Sequence, residues 1–213
     1  MQKPSFLITI DTEGDNLWEA GQEVTTRNSE WLPPFQRLCE EFGLKPTYLA
    51  NFEMACCPGF RKFASGVLRR NAGEVGMHLH AWNSPPQHAL TAGDHLRRPY
   101  LAEYPAEVMH RKIAALTSLL EDTFEVRMTS HRAGRWGFDA AYARALIENG
   151  YLVDCSVTPR YSWKANPGAT PGYGGPDFTS APAEPYFLSL EDVCRPGPST
   201  LLEVPVTVER LSP

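Results

Sequence analysis

Two histidines and a run of carboxylates are the residues of this sequence whose types and spacing could do chemistry. His78 and His80 stand two positions apart in GEVGMHLHAW, and FLITIDTEGD carries the alternating acids Asp11, Glu13 and Asp15. Residues two apart on a strand emerge on the same face, so two such imidazoles can reach one metal ion at about 2.0–2.1 Å each. Carboxylates this close repel one another unless a cation, an arginine or water compensates, and a hard or borderline cation gains from such a cluster.

Both patterns also have a structural explanation that involves no ligand. A His-x-His pair can be two solvent-facing or hydrogen-bonded histidines near a strand end, and an acidic triplet can be a solvated loop. Asp11 favours function, because it directly ends the apolar run Phe6 to Ile10, which is typical of a strand buried on both faces. An unpaired carboxylate in such a place is expensive, so a metal or catalytic site is the preferred interpretation.

A third polar segment, SHRAGRWG, follows another strand candidate. Arg132 could pair with a buried aspartate through a charge-assisted hydrogen bond, although a lone arginine is more often a surface residue. Trp82 and Trp136 stand near proposed strand ends and could form an apolar wall against a sugar ring, or simply pack in the core. Asp154 interrupts an apolar strand, which indicates a hydrogen-bonded support residue. The sequence has no nucleotide-binding glycine motif, phosphate-binding loop or Gly-x-Ser-x-Gly elbow to compete with this chemistry.

The elements that must position these residues are short apolar strands that alternate with amphipathic helices. The predicted strands are 6–10, 47–50, the segment GEVGMHLHAW, 126–130, 151–157, 186–190 and 200–208. The predicted helices are 59–70, 105–123 and 138–148, and an earlier helix precedes them. This earlier helix has Asn28 and Ser29 as N-cap candidates and prolines in its first turn, and it stops at Gly43. Its apolar residues at helical spacing are Phe35, Leu38, Cys39 and Phe42. Residues 82–104 form a predicted loop, and residues 158–185 a Pro- and Gly-rich irregular segment.

This alternation predicts an α/β protein with a largely parallel sheet, either open or closed as a barrel. In both architectures, functional sites lie at the C-terminal ends of the strands. The residues that this rule selects at four predicted strand ends are Asp11, His78, His131 and Asp154.

Length, composition and charge exclude several classes of protein. The 213 residues, 42% hydrophobic and 21% charged, predict one globular domain over 1–213. A net charge of −5 with no basic stripe makes nucleic acid a poor partner. Five cysteines with one vicinal pair and no C-x-x-C argue against a disulfide framework and a thiolate zinc site. The sequence shows no signal peptide and no apolar run of about 20 residues, so we expect a cytoplasmic protein.

Taken in order, these segments resemble the polysaccharide deacetylase (NodB-homology) family. FLITIDTEGD is similar to its first motif, GEVGMHLHAW to its second and SHRAGRWG to its third, while GYLVDCSVTP and LLEVPV resemble later family strands. The resemblance covers most of the chain and is nearest to the WalW-like branch, which is linked to bacterial surface polysaccharide. It implies a deformed or incomplete (β/α) barrel, similar to a TIM barrel.

The resemblance also implies roles for single residues. Asp11 matches the catalytic base. The family places a metal-binding aspartate one or two positions later, and because Thr12 occupies the nearer position, Glu13 is the better candidate ligand, with Asp15 in reserve. His78 matches the first histidine of the second motif.

Three departures from the family pattern concern the remaining roles. The second metal-binding histidine normally stands four residues after the first, where this chain has Trp82, so His80 must substitute for it. Arg132 matches the arginine that holds the base, but the proline and aromatic residue that usually follow it are absent. The family's late histidine, which protonates the leaving group, has no counterpart after His131, as in a truncated or naturally shortened chain. His131 could move into that role, and the acid step stays open.

The resemblance therefore implies a metal-dependent hydrolase that removes N-acetyl groups from a carbohydrate. The implied site consists of a divalent metal, with zinc the first choice, on Glu13, His78 and His80, a base Asp11 with its partner Arg132, and substrate-binding Trp82 and Trp136. Two alternatives remain: a hydrolase of another non-peptide amide or an ester, and a catalytically silent carbohydrate-binding protein of the same fold.

Overall fold

The computed structural model describes residues 5–17, 23–166 and 174–209, and a sheet of seven short strands organises them. The strands are β1 (Thr9–Thr12), β2 (Thr47–Ala50), β3 (Glu74–Leu79), β4 (Ser130–Ala133), β5 (Val153–Asp154), β6 (Tyr186–Phe187) and β7 (Leu202–Glu203). Their order in the sheet is β1-β2-β3-β4-β5-β7-β6, and every neighbouring pair is parallel except β6 and β7. Within the described ranges β1 and β6 are the two sheet edges, so the sheet is open. The predicted α/β fold with a largely parallel sheet is confirmed.

Six helices connect and cover the strands in the described part of the chain. They are α1 (Leu32–Glu41), α2 (Phe52–Cys56), α3 (Pro58–Arg69), α4 (Asp94–Arg97), α5 (Ala106–Phe124) and α6 (Ala140–Glu148). Side chains fix the starts of α2 and α6, because Asn51 and Asp139 accept hydrogen bonds from backbone amides inside the first turn. The predicted apolar face of α5, including Ile113 and Leu116, is buried in the core. None of these helices is long and apolar enough to cross a bilayer.

The first strand differs from its prediction. β1 covers Thr9–Thr12 rather than 6–10, and Phe6 and Leu7 are 73% and 64% exposed. The prediction of a strand buried on both faces was wrong, because β1 is an edge strand and only Thr12 is buried. The shift places Asp11 inside the strand, paired in register with Leu49 of β2.

The fourth strand also begins later than predicted. α5 ends at a left-handed Glu125, and the chain then needs residues 126–129 to reach the sheet, so Val126 is exposed and β4 starts at Ser130. His131 and Arg132 are therefore inside β4 rather than after it. The predicted strands 151–157, 186–190 and 200–208 shrink to two paired residues each.

Helix α1 lies differently from its predicted orientation. Leu38 and Phe42 are exposed, whereas Gln36 is buried beside Cys39. Gln36 donates to the carbonyl oxygen of Ala72 and accepts a hydrogen bond from the Tyr48 hydroxyl. These hydrogen bonds satisfy its polar side chain, so it can be buried on this face of the helix. The predicted N-cap residues 28 and 29 lie in a 3-10 turn before the helix. The predicted loop 82–104 contains α4 and a 3-10 turn, and the irregular segment 158–185 lies partly outside the described residues.

Candidate metal centre and active site

The candidate site lies at the C-terminal edge of the sheet, where β1, β3 and β4 deliver polar residues. Asp11 is in β1, and Glu13 follows that strand directly. His78 is in β3 in register with Arg132 of β4, and His80 follows β3 one residue after its end. Parallel strands end at the same edge of a sheet, so five residues that are distant in sequence come together there.

Glu13, His78 and His80 form a compact group of potential metal ligands. Glu13 Oε2 lies 2.7 Å from His80 Nε2 and 3.4 Å from His78 Nε2. One donor atom from each of the three residues lies within 4.8 Å of the others. Both histidines are almost fully buried, and their rings meet edge to face with centroids 4.6 Å apart. The set of one carboxylate and two imidazoles fits a zinc-like ion that keeps a position open for water or substrate.

The hydrogen bond on the far side of His78 fixes which of its nitrogens can bind a metal. His78 Nδ1 donates to the backbone carbonyl oxygen of Arg132 at 2.9 Å, and a carbonyl can only accept. In the neutral ring the proton is therefore on Nδ1, and Nε2, the atom that faces Glu13, has the lone pair. Such an outer hydrogen bond is the usual way in which proteins orient a metal-binding histidine.

Electrostatics within this group favour a charged Glu13. Burial raises the pKa of Glu13, but hydrogen bonds and charges from His78 and His80 outweigh it and hold the pKa well below the ordinary value. Burial lowers the pKa of His80 to about 4. Burial also disfavours the charged form of His78, but the carboxylates of Asp11 and Glu13 outweigh it and raise its pKa. The group thus presents an anionic ligand beside a neutral His80, which is a suitable state for binding a cation.

Arg132 holds Asp11 next to the metal-ligand group. Its guanidinium donates to Asp11 Oδ1 at 2.7 Å, to the carbonyl oxygen of Cys155 at 2.8 Å, and to the Thr9 hydroxyl. The side chain of Arg132 is only 4% exposed, whereas that of Asp11 is 30% exposed. Asp11 Oδ1 also lies 3.9 Å from His78 Nδ1. Arg132 was predicted to pair with a buried aspartate. It pairs with Asp11, but this carboxylate is partly exposed and so accessible from solvent.

Two tryptophans named from the sequence flank this group. Trp82 lies against His80, with ring centroids 4.5 Å apart. Trp136 covers the guanidinium of Arg132 at 5.1 Å and stacks on Trp163 at 5.9 Å. Both are half-buried, so each has a ring edge or face that a ligand could reach.

Asp15, the reserve ligand, is placed elsewhere. Its carboxylate accepts hydrogen bonds from the Thr25 hydroxyl and from the backbone amides of Arg27 and Asn28. Desolvation raises the pKa of Asp15, but these hydrogen bonds together outweigh it and lower the pKa below its ordinary value. Asp15 therefore orders the segment that follows β1, and Glu13 is the carboxylate that meets the histidines.

His131 and Asp154 form a buried support for the site rather than part of its surface. His131 Nδ1 lies 2.6 Å from Asp154, its Nε2 lies 2.9 Å from the Tyr142 hydroxyl, and both residues of the pair are fully buried. Asp154 also accepts from the backbone and side chain of Ser156. Burial and the charge of Asp154 raise the pKa of Glu203 well above its ordinary value. The predicted support role of Asp154 fits this network, and His131 has no route to a substrate.

One carboxyl group beside the site was missed from the sequence. Glu53 follows β2 in the segment ANFEM, and the charges of Glu13 and His78 affect its pKa. The rule that sites lie at strand ends selected Asp11 and His78. Applied to β2, the same rule would have pointed to the residues that follow Ala50.

Comparisons with known proteins support the fold. No family profile and no curated protein matches this sequence. The chain is similar to a provisionally assigned polysaccharide deacetylase from Mycobacterium smegmatis, with 15% identity, 94% of this chain and 58% of that chain covered, and a TM-score of 0.57. It is also similar to a provisionally assigned glycoside hydrolase/deacetylase from Parabacteroides distasonis, with 13% identity, 93% and 44% coverage, and a TM-score of 0.58. The chain spans about half the length of these proteins. The likeness concerns the fold, and the open, largely parallel sheet is consistent with the deformed or incomplete (β/α) barrel that the resemblance implied.

Proposed function

We propose that this chain is a metal-dependent hydrolase of the polysaccharide deacetylase type, which removes acetyl groups from the nitrogen of an amino sugar. The observation that carries the proposal is the convergence of Glu13, His78 and His80 beside the Asp11–Arg132 pair. Three ligands with an open position, next to a held carboxylate, are the parts that metal-assisted amide hydrolysis needs. The same fold in two provisionally assigned deacetylases supports the choice of reaction.

Each residue of the site has a distinct task in this proposal. Glu13, His78 and His80 would hold a divalent ion, with zinc favoured by the ligand types. The ion would polarise the acyl oxygen and lower the pKa of water. Asp11 accepts the proton that water loses as it attacks the carbonyl carbon, and Arg132 keeps Asp11 in position through its 2.7 Å hydrogen bond.

The substrate side of the site is proposed from its aromatic residues. The rings of Trp82 and Trp136 lie beside His80 and Arg132 respectively. Apolar faces of this kind suit the flat face of a sugar ring. We therefore infer an acetylated carbohydrate as the substrate, bound against one or both tryptophans.

Metal content is the experiment that tests the proposal. The protein would be purified without chelator, dialysed against trace zinc and analysed by elemental mass spectrometry. We expect about one equivalent of zinc in the wild type and a loss of zinc in the His78→Ala and His80→Ala variants. His110→Ala is the matched control, because His110 is half-exposed on α5, where its ring lies 3.4 Å from the Glu148 carboxylate.

Acetate release then separates deacetylation from the other candidate functions. Zinc-loaded wild type should release acetate from N-acetylglucosamine oligomers, and both histidine variants should not. Folded wild type without bound zinc, or the same zinc content in all three histidine variants, would contradict the metal site. Zinc binding and glycan binding without acetate release would instead favour a catalytically silent carbohydrate-binding protein.

A further inference from the structure

Hydrolysis of an N-acetyl group needs a proton donor that the residues discussed so far do not supply. The C–N bond breaks readily only if the nitrogen is protonated, because an amide anion is a very poor leaving group. Asp11 accepts a proton in the proposed function, on which this inference rests, so a second group must donate one.

The three histidines of β3, β4 and the residue after β3 do not fill this position. His131 is fully buried, and its two ring nitrogens contact Asp154 and the Tyr142 hydroxyl. His78 and His80 are assigned to the metal. The carboxyl groups beside the metal ligands are the next candidates for the donor.

Glu53 follows β2, the strand that lies between the two strands that deliver the metal ligands. β2 pairs with β1 on one side and with β3 on the other, and α2 begins two residues after β2 ends. The backbone amide of Asn51 donates to the carbonyl oxygen of Thr12 at 3.1 Å, which ties the start of α2 to the residue before Glu13. Glu53 therefore emerges at the same edge of the sheet as the candidate metal centre.

The two carboxyl oxygens of Glu53 have different surroundings. Oε1 accepts a hydrogen bond from Asn83 Nδ2 at 2.5 Å. Oε2 is buried and has no hydrogen-bond partner among the described residues. A buried carboxylate with a bare oxygen is costly, and a proton on Oε2 removes the negative charge and so lowers this cost. Burial accordingly raises the pKa of Glu53.

We propose that Glu53, which is only half-buried, is the catalytic acid and donates its carboxyl proton to the leaving nitrogen. Water forms the new C–O bond and gives a proton to Asp11, the C–N bond breaks, and the nitrogen takes the proton of Glu53. The products are acetic acid, which ionises, and a free amine. Asp11 is left protonated and Glu53 ionised, and transfer of one proton through solvent from Asp11 to Glu53 restores the starting state.

A comparison of leaving groups tests this role. The zinc-loaded full chain would be assayed with N-acetylglucosamine oligomers and with 4-nitrophenyl acetate, whose leaving group departs as a stable anion without a proton. We expect Glu53→Gln to lose at least about 100-fold in kcat/KM on the amide, a typical contribution of general acid catalysis, but less than about 10-fold on the aryl ester. Glu53→Asp keeps an acid group and should retain more amide activity than Glu53→Gln.

Metal content and thermal stability are measured on the same proteins, with the exposed Glu30→Gln as control. Unchanged zinc with a selective loss on the amide supports the role of Glu53. Equal losses on the amide and the ester, or no loss on either, overturn it while the proposed function stands. Wild type that releases no acetate from the amide contradicts the proposed function itself, and the role of Glu53 with it.

Discussion

Arg132 is the residue on which the geometry of the proposed base depends. Its guanidinium donates hydrogen bonds to Asp11, to the carbonyl oxygen of Cys155 and to the Thr9 hydroxyl. A lysine ammonium cannot reproduce this planar arrangement. We expect Arg132→Lys to lower kcat/KM by about 100-fold, since a displacement of about 1 Å can cost this much. It should also lower the free energy of unfolding by about 1–3 kcal/mol, because buried acceptors lose their donor.

The controls for Arg132→Lys separate catalysis from metal binding. Zinc content should stay at the wild-type level, because His78 is oriented by the backbone carbonyl of residue 132 and not by its side chain. Arg70→Lys, at an arginine 55% exposed in an ion pair with Glu40, should change neither activity nor stability measurably. Wild-type kcat/KM in Arg132→Lys would contradict the role given to Asp11.

At this scale the sequence predicts the residues that follow regular strands and misses the others. His78 and His80 could be predicted because alternation fixes the shared face whatever the partner strand is. The resemblance favoured Glu13 over Asp15 as the ligand, but the sequence could not show that the Thr25 hydroxyl occupies the carboxylate of Asp15. Glu53 was missed because it lies in the first turn of a short helix, where sequence spacing gives no direction for a side chain.

At the scale of elements, the close approach of β3 and β4 keeps His80 in place. Gly134 directly follows β4, and a Cβ there would lie 2.5 Å from the carbonyl oxygen of Leu79 and 2.6 Å from His80 Nδ1. We expect Gly134→Ala to displace the imidazole and to weaken zinc binding by about 10- to 100-fold, the usual effect of disturbing the support of a metal ligand. Competition with a chelating dye measures this affinity. Gly59→Ala, whose Cβ would meet only ordinary contacts at 3.4 Å and beyond, is the control.

Lys112 links helix α5 to the segment after β3, and this link predicts a pH dependence. The side chain is fully buried, and Nζ donates to the carbonyl oxygens of Ser84 at 2.5 Å and Pro86 at 2.8 Å. Burial lowers the pKa of Lys112 from 10.5 to about 8. A neutral amine still has two hydrogens for the two carbonyls. Between pH 8 and 10.5 the unfolded chain therefore binds more protons at this residue than the folded chain, and stability rises with pH.

The variant Lys112→Met isolates this contribution. The stability of the wild type relative to the variant should increase by about 2 kcal/mol between pH 7 and pH 9.5. Urea unfolding of both proteins at the two pH values measures the difference. Equal differences at both pH values would mean that Lys112 is neutral or charged in the same proportion in both states.

The elements themselves were predicted unevenly, for physical reasons. β2 was predicted to the residue, because it is a central strand between Pro46 and a capping Asn51. β4 was misplaced because an apolar segment at 126–130 looks like a strand, whereas pairing begins only where the chain reaches β3. The exposed face of α1 could not be predicted, since a buried Gln36 satisfies its polar groups through Tyr48, which lies on another element.

At the scale of the whole molecule, the alternation of strands and helices predicts an α/β fold but not the open sheet. Openness depends on which residues pair at the end of the chain, and there only two residues of β5 and two of β7 meet. β6 pairs with β7 in the antiparallel direction. The Pro- and Gly-rich segment before β6 allows this reversal of direction, but no periodicity in the sequence predicts it.

The candidate metal centre lies at the edge of the apolar core, which predicts how the fold responds to metal removal. The buried apolar cluster extends over β2, β3, α3, α5 and α6, so most of its residues pack without contact to the three proposed ligands. The protein without metal should therefore remain folded, and zinc should add stability by binding the native state. At zinc about 1,000-fold above its dissociation constant the gain is about 4 kcal/mol, which corresponds to about 8–16 °C in Tm for a chain of this length. Calorimetry with zinc and with EDTA should show this shift in the wild type and in His110→Ala but not in His78→Ala. A chain that unfolds in EDTA would mean that the metal is part of the core, and an equal Tm with zinc and with EDTA would mean that no ion binds at this edge of the sheet.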